Sequence, residues 1–502
     1  MLVQPNAASF DYSFFKQTAL KHAATDHSGS AKLLGDVMHE MAELLGSSHK
    51  ADLHIDASAG HGKSGDHGPH VTDDFGAAIK GGKGKGGSSG GSTPGGDTTS
   101  TGTTDATGGS TTTTTTTTSL DTSSPAPQYV VTDLLSPYSW GHGAVTIKYS
   151  FLDSLPTYYS STATESHSFS VFNSSQEAAA RSVLAQISSF TNATFVETTN
   201  DAYSQIAFGN AALGSGIGAW TYYPYSTGTY NQAGDVWINS QYSYNFSPNP
   251  GNYAYLTLLH EVGHAMGLKH PTEGTAVLPT AEDSRLYTDM SYRADALMPG
   301  VEPQTYMLYD IAALQSLYGV NTTTGAGDNV YSFAGANNLL ETIWDASGID
   351  TFDATGLASA VTLDLQGGHF SSIGTLGATS LAQNNVTIVY NVTIENGYGG
   401  SGNDTIFGNY AANKLAGGAG NDVLTGAGGA DYFVFTRGGG QDKVTDFQHG
   451  TDFIDLRSIG VTMTDVYVSD SSTGAVVQVA DVSVTLTGVA ASQIDSHDFL
   501  FT

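Results

Sequence analysis

Three imidazoles and one carboxylate crowd the stretch His260-Glu-Val-Gly-His264-Ala-Met-Gly267-Leu-Lys-His270. In a helix advancing about 100° per residue, His264 lies one turn beyond His260 on the same side, and Glu261 flanks the pair. Gly267 can take the left-handed conformation that ends a helix, which lets the chain fold back and bring His270 in from the side. Three neutral imidazoles meeting in this way suit a tetrahedral zinc ion and leave one position open, as a catalytic site requires. The adjacent carboxylate is then placed for general-base work on a water molecule. A bare His-Glu-x-x-His can also be two surface histidines on a helix. The glycine and third histidine at fixed offsets weigh strongly against that reading.

Downstream, Leu286-Tyr-Thr-Asp-Met290-Ser-Tyr292 supplies the methionine turn that accompanies the extended zinc motif of metzincins. With its Met-Ser-Tyr wording the chain resembles one metzincin family, the serralysins, which are secreted bacterial zinc proteases. That resemblance implies one catalytic Zn2+ on His260, His264 and His270, with Met290 as the apolar floor beneath it. It also implies that Tyr292 is a displaceable further ligand able to swing and stabilise the transition state. Glu261 would take a proton from the attacking water and pass it to the leaving amine, with no covalent intermediate. The predicted activity is that of a zinc-dependent metalloendopeptidase acting on protein or peptide substrates.

The elements that must position these residues can be read from periodicity. Leu258, Val262, Ala265 and Met266 fall opposite the histidines, so the zinc helix reads as amphipathic with a polar working face. Val145 to Phe151 alternates like a strand, and Gln176 to Phe190 has helical spacing through Ala179, Val183, Leu184 and Ile187. Asp235 to Asn239 reads as a short strand. Tyr309 to Gly319 reads as a closing helix with Ile311, Leu314 and Tyr318 buried. By resemblance, which extends to Phe208-Gly-Asn, Ala219-Trp-Thr-Tyr-Tyr-Pro224 would be the edge strand on which an extended peptide pairs. The expected fold is an α+β metzincin catalytic domain, a mixed sheet with an active-site helix, over residues 129–320.

Residues 321–502 read as an all-β parallel β-roll. A nine-residue repeat begins at Gly399, Gly408, Gly417 and Gly426. Its sixth position carries Asp404, Asn413, Asp422 and Asp431, and its eighth carries Ile406, Leu415, Leu424 and Phe433. In a roll of this kind, glycine turns offer carbonyls and aspartates offer carboxylates to Ca2+, which takes six to eight oxygens. The candidate calcium residues are Gly399, Gly400, Gly402, Asp404, Asn413, Gly417, Gly418, Gly420, Asp422 and Asp431, for several structural ions. If each nonapeptide makes half a coil, as in that family, Asp404 stacks with Asp422 and Asn413 with Asp431. Asp442 to Leu456 resembles the region that follows the repeats in serralysins and implies further acidic ligands.

Residues 1–80 are histidine-rich, with His22, His27, His39, His49, His54, His61, His67 and His70 irregularly spaced and one helical candidate from Ser30 to Leu45. They read as a disordered or partly helical extension, a possible propeptide, rather than a metal site. Residues 81–128 collapse to Gly, Ser and Thr, including the run Thr111 to Thr118, and read as a flexible linker. The extension, the linker and the small number of repeats, one of them degenerate, depart from the family pattern.

The chain has 502 residues, 61 glycines, no cysteine and a formal charge of −30. That charge argues against nucleic acid as a partner and favours cations. No lysine or arginine lies between Ala294 and Asn413. Without cysteine there is no disulfide framework, thiolate zinc site or cysteine-based latency. The first residues lack the pattern of a secretory signal, and no stretch approaches a membrane span. The ending Asp498-Phe-Leu-Phe-Thr502 resembles the signal read by type I secretion apparatus, so the expected location is extracellular and the expected state a monomer. A terminal β-strand would look the same. A calcium-binding surface or adhesion protein with a non-catalytic metzincin domain is the competing class, and Glu261 and Tyr292 argue against it. The repeats and the missing cysteines argue against the matrixin and astacin types.

Overall fold

A computed structural model describes residues 70–73, 124–199, 204–224 and 232–502. The helical candidate from Ser30 to Leu45, the histidines before His70 and most of the 81–128 segment lie outside the described residues. The described residues fall within one compact unit.

The site rests on a six-stranded mixed sheet, made of β1 (His70–Asp73), β2 (Val145–Phe151), β3 (Ala193–Glu197), β4 (Ile206–Ala211), β5 (Ala219–Tyr222) and β6 (Val236–Asn239). Their order across the sheet is β1-β5-β6-β4-β2-β3. β2, β3, β4 and β6 run parallel, whereas β5 runs antiparallel to β6 and β1 antiparallel to β5. The strand expected at the edge, β5, is therefore covered by an N-terminal segment. Nothing in the sequence marked residues 70–73 as a strand, because four residues followed by Asp-Phe-Gly carry too little periodicity.

Four helices complete this part: α1 (Gln128–Thr132), α2 (Ser174–Phe190), α3 (Tyr253–Ala265) and α4 (Leu308–Tyr318). Asn173 starts α2 through a reciprocal capping box with Gln176. Asn252 starts α3 by accepting the Tyr255 N–H at 2.9 Å, a cap worth about 1 kcal/mol. Every residue of α3 from Ala254 to Ala265 is buried, the histidines included. The expected polar working face is thus enclosed. β5 and β6 lie over α3, while α2 packs alongside it, so it behaves as a central core helix rather than an amphipathic one. In α4 likewise, burial extends well beyond the Ile311, Leu314 and Tyr318 stripe.

Beyond Val320 the chain winds through short, mostly parallel strands. Thr405–Phe407 pairs with Val423–Thr425, and Lys414–Ala416 with Tyr432–Val434, so units two apart stack on one side. Ile406, Leu415, Leu424 and Phe433 are completely buried between the two stacks. A Cβ at Gly420 would lie 1.9 Å from the Gly402 carbonyl oxygen, so only glycine permits this spacing between coils. The hydrophobic core runs without interruption from Leu259 and Tyr306 to Phe352 and Phe433.

Candidate active site

The Nε2 atoms of His260, His264 and His270 lie 3.1–3.2 Å from one another. His260 Nδ1 is 2.8 Å from the Asp289 carbonyl oxygen, and His264 Nδ1 is 2.8 Å from that of Leu268. A carbonyl only accepts, so each Nδ1 carries the hydrogen and each Nε2 of the neutral ring presents a lone pair. Lone pairs directed together at this spacing repel unless a cation lies between them. Tetrahedral zinc with bonds of about 2.0–2.1 Å places its ligand atoms about 3.3 Å apart, so the donor set fits the ion. Among the described residues these three histidines are the group arranged to hold a metal.

The folding-back of the chain depends on Gly267, whose φ is +102° and whose added Cβ would lie 2.5 Å from the Tyr138 carbonyl oxygen. The end of α3 is further tied by Trp140 Nε1 donating to the Ala265 carbonyl and the Tyr318 hydroxyl donating to that of Met266, both at 2.8 Å. His270 Nδ1 faces Glu273 at 3.4 Å, and this contact holds the Glu273 carboxyl below the usual glutamate range.

Glu261 is buried, and its Oε2 accepts a 2.7 Å hydrogen bond from Thr221 Oγ1 on β5. The Tyr223 ring stands edge-on to His264 with centroids 5.6 Å apart. The Tyr292 hydroxyl lies 2.7 Å from His270 Nε2, on the side where the three imidazoles meet. Met290 is fully buried beneath α3. The structure therefore brings together all six residues that the sequence singled out for this site.

Sequence reasoning missed the support of the methionine turn. Asp310, in the first turn of α4, accepts from the Thr288 hydroxyl and from the N–H groups of Asp289 and Met307. The Asp289 carbonyl so positioned is the one that orients His260. Burial pushes the Asp310 carboxyl up to about 6 against these bonds. Burial, followed by the neighbouring Asp310, holds the Asp289 carboxyl well above the usual range. An aspartate three residues into a helix is a sequence signal for capping, but it names no distant partner.

The candidate calcium residues form two columns in the roll. The Asp404 N–H donates to Asp422 Oδ1 at 2.8 Å, and the Asp422 N–H to Asp442 Oδ1 at 3.0 Å. On the other side the Asn413 N–H donates to Asp431 Oδ1 at 2.9 Å, and the Asp431 N–H to Asp452 Oδ1 at 3.1 Å. Asp442 and Asp452, both in the segment after the repeats, thus extend the columns. In the turns between, the Gly400 carbonyl accepts the Ala419 N–H at 3.0 Å, while Gly418 and Gly420 have φ values of +100° and +128°. The last residues form a strand, Phe499–Leu500, paired with Ile454 and Asp455.

The sequence is similar to those of known metallopeptidases. The profile of the family described as Peptidase M10 serralysin C terminal matches residues 309–495. Metallopeptidase AprA of Pseudomonas marginalis is 34% identical over 412 residues, which cover 72% of this chain and 84% of that protein. A serralysin of Proteus mirabilis is 37% identical over 284 residues, covering 49% and 56% of the two chains. A serralysin of Photorhabdus luminescens is 37% identical over 315 residues, covering 55% and 62%. Among solved structures, the extracellular lipase LipA of Serratia marcescens matches 35% of this chain and 37% of its own at a TM-score of 0.20 and 17% identity, too little likeness to bear on the site. From the extent and identity of the first of these matches, the chain belongs to the serralysin family of metallopeptidases.

Proposed function

We infer that this protein is a secreted zinc endopeptidase whose catalytic part spans residues 129–320 and has the metzincin fold. The observation that carries this reading is the convergence of three imidazole Nε2 atoms, two of them fixed as lone-pair donors, beside the buried Glu261 carboxylate. His260, His264 and His270 would hold the ion, with Tyr292 as a further, displaceable ligand and Met290 below. Zinc, when bound, supplies an acidified water and polarises the scissile carbonyl.

Glu261 then serves as the proton carrier, first as base toward the attacking water and then as acid toward the leaving amine. Thr221 holds one of its oxygens, which limits the carboxylate to few orientations. The Tyr292 hydroxyl is the donor for the developing oxyanion. The backbone of β5 is the rail along which an extended peptide is aligned, so binding draws on main-chain hydrogen bonds more than on any one side chain.

Residues 321–502 are assigned to a calcium-stabilised roll, with the ten repeat residues named above and Asp442 and Asp452 as ligands for several Ca2+ ions. Residues 1–80 are read as a propeptide and 81–128 as its linker. Export through a type I apparatus, reading residues 498–502, is the proposed route, and a monomer the proposed state. Among the described residues no helix is long and apolar enough to cross a membrane.

Hydrolysis of casein by the purified, zinc- and calcium-loaded protein tests the activity. Expected are loss on adding a zinc chelator, recovery on adding zinc, and loss of at least about 10³-fold in Glu261→Gln with zinc retained. Full zinc occupancy without any hydrolysis, even after removal of the N-terminal segment, would instead favour a calcium-binding surface protein.

A further inference from the structure

Arg285 stands at the entrance to the methionine turn, with a side chain that is 8% exposed. Its backbone N–H donates to the Arg293 carbonyl at 2.9 Å, which closes residues 285 to 293 into a loop that includes Met290 and Tyr292. Its guanidinium reaches the same loop a second time, Nη2 donating to the Tyr292 carbonyl at 3.2 Å. Nη1 meets both oxygens of Glu302, at 3.0 and 2.9 Å, and that carboxylate is itself only 12% exposed. The guanidinium carbon also lies 5.7 Å from the centre of the ring of Tyr253, the first residue of α3. One side chain thereby registers the backbone of Tyr292 against the helix that carries His260, Glu261 and His264. Just before Tyr292, the Ser291 hydroxyl donates to the buried Asp283 carboxylate at 2.7 Å. The backbone is thus held on both sides of the tyrosine.

Stability alone does not account for this arrangement. A buried ion pair gives up its hydration and regains it only partly through mutual attraction, so apolar residues of similar volume commonly serve stability as well or better. Arg285 Nε, moreover, is buried without an acceptor, which leaves part of that loss uncompensated. What the pair supplies is geometry. The planar fork fixes two directions at once, toward Glu302 and toward the Tyr292 carbonyl, where an ammonium would act as a point charge. Accuracy matters at Tyr292 because its hydroxyl, 2.7 Å from His270 Nε2, lies at the far end of the side chain. A small rotation of the backbone is magnified there, and a misplacement of about 1 Å can cost about 10²-fold in rate.

We propose that Arg285, anchored by Glu302, is a positioning residue for Tyr292: it fixes the backbone pivot, so that the hydroxyl moves between the metal and the developing oxyanion by side-chain rotation alone. This builds on the part given to Tyr292 above. Among the described residues, the side-chain contacts of Arg285 are to Tyr292, Glu302 and Tyr253, not to β5 or to the three histidines. Its loss should therefore act on the chemical step and spare peptide binding and zinc retention.

Full-length protein loaded with calcium and zinc provides the test. Arg285→Met alone would strand the Glu302 carboxylate, so the informative variant is Arg285→Met with Glu302→Met, which replaces the pair by apolar chains. Its melting temperature should stay within about 4 °C of wild type, with zinc content unchanged. On a fluorogenic peptide substrate, kcat should fall at least about tenfold while KM changes less than about twofold. Arg285→Lys keeps the charge opposite Glu302 but not the fork, and should lower kcat at least about threefold with KM unmoved. In protein carrying Cu2+ in place of zinc, the visible charge-transfer band of a phenolate on copper reports the tyrosine without turnover. That band should be present in wild type, absent in Tyr292→Phe and partly lost in the double variant. Wild-type kcat in Arg285→Lys, an undiminished band in the double variant, or a loss of activity that lies in KM would each overturn the proposal. If the double variant does not fold, Arg285→Lys decides by the same kcat measurement. Wild-type kcat in Tyr292→Phe would instead remove the role of Tyr292 itself.

Discussion

The sulfur of Met290 lies against the bare backbone of α3 at Gly263, where an added β-carbon would come within 2.7 Å of Sδ. Gly263 sits between the ligands His260 and His264, so the floor of the site is fitted to a missing side chain. In an exposed helix, Gly→Ala would stabilise by about 1 kcal/mol. Here both residues are buried and overpacking costs about 1–3 kcal/mol, so the two effects largely offset each other in overall stability. The displaced Met290 is adjacent to Asp289, whose carbonyl orients His260, and the strain should therefore appear in metal binding. Gly263→Ala is expected to weaken zinc retention against a competing chelator by about tenfold, or about 1.4 kcal/mol. Met290→Ala in the same chain should show non-additive recovery in a double-mutant cycle. Unchanged zinc affinity in Gly263→Ala would remove this contact from the account of the site.

Thr221 makes a second long-range contact, from β5 to Glu261. A hydrogen bond to a charged group is worth about 1.5–3 kcal/mol, and its role here is to orient the carboxylate rather than to bind peptide. Thr221→Val preserves shape and β-branching. It should lower kcat about tenfold or more while KM changes less than about twofold, and zinc content should remain at wild-type level. Thr221→Ser should keep most of the activity. A rise in KM at constant kcat would place Thr221 in substrate binding instead.

The contrast between these residues shows what a sequence reveals here. His260, Glu261, His264 and His270 follow one another along the chain, so helix periodicity and one glycine were enough to bring them together. Ile406, Leu415, Leu424 and Phe433 were legible as interior because a strict repeat puts them at one position of each coil. Thr221, Asp310 and Gly263 act through partners 40, 21 and 27 residues away, and no local period encodes such a pairing. The enclosure of α3 was missed for the same reason. Its histidines were read as a polar face, although a metal-binding face needs burial to exclude water and fix its ligands. The coverage of β5 by His70–Asp73 involves a segment separated from the rest by a low-complexity stretch, where periodicity gives no information.

Glu341 begins a short strand, Glu341–Ile343, and burial pushes its carboxyl up to about 7 from the ordinary 4.5. Below about pH 4.5 the group is neutral in both folded and unfolded chains and costs nothing. Between about 4.5 and 7 the unfolded chain ionises first, so native stability falls with rising pH until the folded group also ionises. Glu341→Gln mimics the neutral form and should remove that loss. In denaturant titrations at fixed calcium, the variant should match the wild type near pH 4.5. By pH 8 it should exceed it by at most about 3 kcal/mol. A stability difference independent of pH would show that the carboxyl ionises freely in the folded protein.

The two columns of the roll are unequal in a way that predicts which calcium sites are strong. Asn413 Oδ1 accepts the Asn409 N–H at 2.7 Å, so its Nδ2 must point the other way, where it donates to the Glu395 carbonyl oxygen at 3.0 Å. An amide hydrogen thus takes an oxygen that a cation on that side would otherwise share, and one formal negative charge is missing as well. On the other side Asp404 and Asp422 are both carboxylates, so that column carries one more formal negative charge. The Asp404–Asp422 column should therefore bind calcium more tightly than the Asn413–Asp431 column. Asp422→Asn should lower the calcium-dependent rise in melting temperature more than Asp431→Asn does. Isothermal calcium titration should lose its tighter phase in the first variant and its weaker phase in the second. A larger loss from Asp431→Asn would mean that turn carbonyls, rather than the charge of the sixth position, set the order of affinity.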